Sequence, residues 1–151
     1  MTNEEIFRIA KIQSAFDCGC SPEDFDKSEN VVTLSAANPM ARKYLSYPMS
    51  CDLVSYGSNI VAQTSADLMD AVKNYIDSYP IEHCFETPNM HVLEEVLHSY
   101  GQRVCFMAEY FLPDVDAFRT RAVGDACPYE MRLLTQADFT NLYRPEWSNA
   151  L

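Results

Sequence analysis

Apolar residues recur along this chain at two rhythms, helical and alternating, and the changes between them predict its elements. Ile6, Ile9, Ala10 and Phe16 follow near-helical spacing behind Thr2 and Glu5, a Thr-x-x-Glu pattern suited to a capping box, so an amphipathic helix is expected from residue 3 to about 17. "CGCSPED" ends it, and Ser21, Pro22, Glu23 and Asp24 start a short second helix or turn. "NVVTLSA" is the first β-branched strand signal. In "CDLVSYGSNIVAQT" two apolar runs flank Gly57 and Ser58, and glycine in the first central position suits a type II′ turn, so a hairpin is predicted.

Ser65 reads as the cap of a helix in which Leu68, Met69, Val72, Ile76 and Tyr79 line one side and Pro80 is the stop. "IEHCF" reads as a short extended piece. Thr87 as cap and Pro88 as first helical residue open another helix, with Leu93, Val96, Leu97 and Tyr100 facing inward and Gly101 supplying the left-handed residue beyond its end. "QRVCFMAEYFL" is apolar on both alternating faces apart from Glu109, which predicts a strand covered on both sides and stopped by Pro113.

Residues 113–128 lose periodicity and read as a linker. Beyond them Tyr129, Met131 and Leu133 alternate with Glu130 and Arg132 as a half-buried strand. Thr135 and Asp138 then cap a helix carrying Phe139, Leu142 and Tyr143, which Pro145 interrupts. A strand feeding a capped helix is how a domain usually opens. The expected fold is therefore an α/β (α+β) domain over 1–112, a mixed sheet with flanking helices, then the 113–128 linker and, over 129–151, the truncated start of a second unit.

Composition narrows the function. The chain has 151 residues, 48% of them hydrophobic, enough to bury one sizeable core. Its formal charge of −11 comes from 22 acids against 11 scattered bases, so no basic stripe exists to follow a phosphate backbone and nucleic acid is not an expected partner. No run approaches the roughly 18 apolar residues of a membrane span. The charged start "MTNEEIFRIAKIQ" does not read as a signal peptide, so the expected location is the cytoplasm. Cysteines at 18, 20, 51, 84, 105 and 127 include several inside apolar runs and are expected as free thiols.

Several constellations invite chemistry. His91, Glu94, Glu95 and His98 share one helix face, and Glu95 with His98 forms the Glu-x-x-His pair of di-iron bundles, but such sites need that pair twice and this chain has it once. A solvated face accounts for it as well. Cys18 and Cys20 with His83 and Cys84 offer four soft ligands without the paired Cys-x-x-Cys spacing of zinc sites. Cys84 with His91 is a conceivable nucleophile and base; adjacent His83 would point to the opposite strand face. None of the four glycines forms a Gly-x-Gly pattern, so no pyrophosphate cradle is expected and no cofactor is assigned to this chain.

Long phrases carry a stronger signal. "CDLVSYGSNIVAQT", "IEHCFETPNMHVLEEVLHSYGQRVCFMAEYFLPDVDAF" and "YEMRLLTQADFTNLYRPEWSNAL" resemble the amino-terminal part of a family of bacterial two-part GNAT-type acetyltransferases of Clostridium-like Firmicutes. The resemblance covers most of the chain. It implies that "EMRLLTQADFTNLY" is the first strand and helix of the acetyltransferase fold, and that the Gln/Arg-x-x-Gly-x-Gly/Ala loop holding coenzyme A comes later, outside these residues. The full-length protein would then move an acetyl group from acetyl-CoA to a small amine. This chain would be its non-catalytic front domain, partnered by the missing C-terminal GNAT domain or by a second copy in a homodimer. No catalytic or metal residue carries over. The segment from Phe139 to Tyr143 and the "RPEWSNAL" after it would lie toward the acceptor.

Substrate contacts are accordingly expected from Glu86 and Asn89, at the polar start of the Pro88 helix, and from Tyr143 and Trp147. Each also has a structural reading, as a group serving helix amides or as packing. The alternatives are a stand-alone interaction or regulatory module and, more remotely, a cysteine or metal enzyme using Cys84, His91, Glu95 or His98.

Overall fold

The structure is a computed structural model that describes residues 1–43, 45, 47–120 and 135–139. The chain divides into two units, Met1–Asp116 and Ala117–Leu151. Helices and a small mixed sheet make the fold α/β, as the hydrophobic pattern predicts.

Helix α1, Asn3–Cys18, starts on the expected capping box. Thr2 Oγ1 accepts from the Glu5 amide at 3.1 Å, and the Glu5 carboxylate accepts from the Thr2 amide at 2.7 Å. That backbone bond, with the terminal ammonium beside it, holds the Glu5 carboxyl below its usual range. Gly19, at φ 62°, closes the helix by turning the Cys20 amide back to the Ala15 carbonyl at 3.0 Å. The buried face is not the one predicted. Ser14, Ala15, Asp17 and Cys18 are buried while Ile9 is half exposed, because the core that α1 joins, around Phe25 and Val61, takes only its last turns.

The sheet has the order β1-β3-β2, from Val31–Leu34, Ile60–Thr64 and Cys51–Ser55. Strand β3 pairs parallel with β1 (Val31 opposite Val61) and antiparallel with β2 (Ser55 opposite Ile60). The hairpin is present, but its connection is four residues, Tyr56 to Asn59, rather than a two-residue turn. Ser55 Oγ donates to the Asn59 carbonyl at 2.6 Å and accepts from the Gly57 amide at 3.0 Å, so a side chain organises the wider loop. Gly57 sits at φ 99°.

Alternation along buried β3 divides the core. Ile60 and Ala62 face helix α2, Met69–Ser78, and helix α3, Thr87–His98, where they meet Leu68, Val72, Tyr75, Ile76, Leu93 and Leu97. Val61 faces α1 and Phe25, the latter in the 3-10 turn Pro22–Asp26. Tyr56 joins the second cluster from the hairpin loop, edge-on to Phe7 and Phe25, with its hydroxyl 2.9 Å from Ser14 Oγ. Asn30 ties the layers: its Oδ1 accepts from the Ile60 amide at 2.8 Å and its Nδ2 donates to the Ile76 carbonyl at 2.9 Å.

Three predicted details differ here. Ser65 meets α2 through its carbonyl, which accepts from the Leu68 amide, and not through its hydroxyl. "IEHCF" is not extended: Glu82–Phe85 forms a 3-10 turn, since Pro80 ends α2 only two residues before this segment must turn into α3. Thr87 is the first residue of α3 rather than its cap, a place taken by extended Glu86.

Gly101, at φ 70°, closes α3 as predicted, with the Gln102 amide on the Leu97 carbonyl and its own amide on that of His98, both at 3.0 Å. Tyr100 does not face inward; it is 43% exposed. The larger departure follows. Residues 102–114 form no strand and are not covered: Phe106, Met107, Tyr110, Phe111 and Leu112 are exposed, and only Val104 reaches the core. No layer arrives to cover either face of this run in the first unit, so its apolar character does not become burial.

At its far end Asn3 receives the run: its Nδ2 donates to Asp114 Oδ1 at 2.9 Å, and its Oδ1 accepts from the Val115 amide at 2.7 Å. Within the expected linker, Val115–Thr120 is helical and forms α4. In the second unit Gln136–Phe139 forms α5, introduced by Thr135, whose amide and hydroxyl both donate to the Asp138 carboxylate at 2.8 Å. The expected strand over Tyr129 to Leu133, and Leu142, Tyr143 and Trp147, lie outside the described residues. Among the described residues no helix is long and apolar enough to cross a membrane.

Candidate functional site

The most elaborate polar cluster lies at the end of the sheet where β1 and β3 finish and β2 begins. Burying Asp17 on the last turn of α1 requires partners, and the long β1–β2 connection supplies them. Asp17 Oδ1 accepts from the Arg42 amide at 2.8 Å and from Gln13 Nε2 at 3.1 Å, while Oδ2 lies 3.1 Å from Arg42 Nε. The Asp17 carbonyl accepts from the Tyr47 hydroxyl at 2.7 Å. Beside it, Asn38 Nδ2 donates to the Phe16 carbonyl at 3.0 Å and Thr33 Oγ1 to the Cys18 carbonyl at 2.6 Å. The end of α1, whose carbonyls lack helical partners, is thus satisfied by side chains.

Gln63 carries the cluster across the sheet. Its Oε1 accepts from Ser35 Oγ at 3.2 Å, and its Nε2 donates to Asp52 Oδ2 at 3.4 Å and approaches Met49 Sδ at 3.7 Å. Burial raises the Asp52 carboxyl, the bond from Gln63 opposes the rise, and the charge of Asp17 adds to it. Cys18 and Cys51 border the same region. Burial raises the Cys18 thiol and pushes Cys51 up to about 12, so both stay protonated at neutral pH. Every charge in this cluster is tied to another part of the fold, so its chemistry is that of a structural latch holding the connection onto the sheet.

Glu86 and Asn89 are both at the start of α3, as predicted, and each bonds locally. Glu86 Oε2 lies 2.7 Å from His83 Nδ1, and Asn89 Nδ2 donates to the His83 carbonyl at 2.8 Å, which fastens the 3-10 turn to the helix. Tyr143 and Trp147 lie outside the described residues, so the four are not seen together. Two open grooves, of about 390 and 470 Å³, lie elsewhere, one beside Asn30, Lys73 and Asp77 and one beside His98, Arg103 and Cys105.

Cys84 is fully buried, its Sγ 3.8 Å from the Ile76 and Tyr79 carbonyls, and burial raises its thiol. His91 is exposed on α3. A buried, protonated thiol is packing rather than a nucleophile, and a solvated imidazole does not make it one. On the helix face flagged for metal, His98 lies 3.5 Å from Glu94. Among the described residues no three His, Cys, Asp or Glu side chains gather to hold a metal ion.

No protein-family model, curated protein or solved structure matches this chain.

The feature that remains is the exposed run. Phe106, Tyr110 and Phe111 are 71, 71 and 86% exposed, with Met107 and Leu112 beside them. Its one ring contact to the described body is Arg42, 6.0 Å from the Tyr110 centroid. Between the Gly101 closure and the Asn3 clasp, residues 103–112 enter no regular backbone pairing among the described residues. The run was visible in the sequence; its exposure was not.

Proposed function

We propose that this chain is the non-catalytic front domain of a GNAT-type acetyltransferase-like protein of the cytoplasm, and that its task is docking rather than transfer. The reactants of the whole enzyme would be acetyl-CoA and a small amine. What carries the docking part is the exposed run from Phe106 to Leu112: unpaired backbone with large apolar side chains is a surface suited to a partner. The resemblance of the three long phrases supports the acetyltransferase part, and the lack of any Gly-x-Gly pattern in these residues supports the non-catalytic part. Glu86 and Asn89 are the acceptor-side candidates of this domain.

The test has two arms. Titration of the chain with acetyl-CoA in a calorimeter is expected to give no binding heat; stoichiometric binding overturns the non-catalytic reading. Hydrogen exchange in dilute protein is expected to label the amides of 103–112 within seconds and those of β3 slowly. Slow exchange throughout 103–112 under those conditions overturns docking through this run. The same exposed run also fits a stand-alone interaction module, which the calorimetric arm leaves standing and which differs in needing no acetyltransferase partner.

A further inference from the structure

The partner of the exposed run is decided by its size and its charges. Phe106, Met107, Tyr110, Phe111 and Leu112 together expose on the order of 600 Å², the upper end of what a monomer's largest apolar patch shows. Doubled across a symmetric contact this sets a ceiling of about 1,200 Å², the lower bound of a standard protein interface. A second copy paired along this run meets Phe106 and Met107 directly and brings Tyr110, Phe111 and Leu112 to the ends of the contact.

Charge then sets the register. Arg103 and Glu109 are the only charged residues between Gly101 and Pro113, and they are six residues apart, so they share a strand face. When two such runs pair antiparallel with Phe106 opposite Phe106, each Arg103 falls opposite the other copy's Glu109, and Cys105 falls opposite Met107. A shift by two residues either way places both charges opposite apolar side chains or glycine. Pro113, lacking an amide, ends the ladder. The segment is complementary to itself in this register, with Phe106 on the two-fold axis.

From this juxtaposition we infer that the chain forms a two-fold homodimer by antiparallel pairing of residues 103–109, which would also pair backbone groups that have no regular partner among the described residues. The inference rests on the docking reading above and names the occupant.

Light scattering and sedimentation across micromolar concentrations are expected to show a monomer–dimer equilibrium and no larger species. Phe106→Asp, at a 71% exposed position where folding is not at stake, is expected to raise the dimer dissociation constant about thirtyfold with an unchanged circular dichroism spectrum. Arg103→Glu and Glu109→Arg are each expected to weaken the dimer about fivefold, and the double variant to restore it. Met107→Cys is expected to cross-link under mild oxidation to Cys105 of the second copy, identified by peptide mapping.

A dimer indifferent to these substitutions, or open-ended assembly, overturns the inference. So does a monomer at every concentration, and a hydrophobic dye then separates the two readings. Dye binding that Phe106→Asp removes leaves docking with a different partner, whereas a monomer inert to the dye removes both.

Discussion

Arg42 grips Asp17 with both its backbone and its side chain: its amide donates to Oδ1 at 2.8 Å and its Nε lies 3.1 Å from Oδ2. One residue of the β1–β2 connection thereby donates to one oxygen of a carboxylate that α1 buries and sets its charge beside the other, Oδ2, which accepts no hydrogen bond among the described residues. Asp17→Ala leaves Arg42 without this counter-ion and the Gln13 amide without this acceptor. A loss of about 2 kcal/mol in urea unfolding is expected, below the 3–5 kcal/mol of a fully buried pair because Arg42 stays partly in water. An unchanged midpoint would show that the latch contributes nothing.

Asp52 gives the latch a pH dependence of defined sign. Burial raises its carboxyl above the ordinary aspartate value of 3.8, so the folded state holds the proton more tightly than the unfolded chain does. That contribution is complete below the unfolded value and is lost as pH rises through the folded one. Asp52→Asn cannot ionise. The variant is therefore expected to gain stability over the parent as pH rises from the unfolded value through the raised folded one, and to keep that gain above it, read as a growing difference in urea midpoint. A difference that shrinks over this interval contradicts the buried-carboxylate account.

Thiol labelling checks the layering. Cys105 is exposed, Cys20 is intermediate with its thiol pushed up to about 11, and Cys18 and Cys84 are buried. Peptide mapping after a brief pulse of iodoacetamide on dilute native protein is expected to find Cys105 modified before Cys20, and Cys18 and Cys84 modified only after unfolding. Labelling of Cys84 as fast as Cys105 would place α2 and α3 wrongly on the sheet.

Gly101 is a clean test of backbone strain, since a Cβ there meets open space and any cost comes from φ 70° alone. Gly101→Ala is expected to lower stability by about 1 kcal/mol in denaturant melts. Stabilisation would mean that α3 does not close through this residue.

What the sequence disclosed was local. The Thr2–Glu5 box, the end of α1 at "CGCSPED", the closure at Gly101, the hairpin and the face of α2 each rest on contacts within a few residues, and all are present. The latch was not legible, because Asp17, Arg42, Asp52 and Gln63 meet only once the sheet has formed; an amide inside the apolar run "IVAQT" was its sole sign. The run from Phe106 to Leu112 misled for a related reason. Apolarity on two faces states what a segment requires, and whether a layer arrives is decided by the rest of the fold. At Glu86 and Asn89 the position was read correctly, and the observed bonds are those of a helix start.

The central strand of the sheet is the last of the three to be made. As the chain leaves the ribosome, Val31–Leu34 has no neighbour to pair with until residues 60–64 follow it out, almost thirty positions later. The hairpin closes on its own short loop, so it offers the template on which the waiting first strand completes the sheet. Lengthening the stretch between them is expected to slow refolding much more than it lowers the melting temperature.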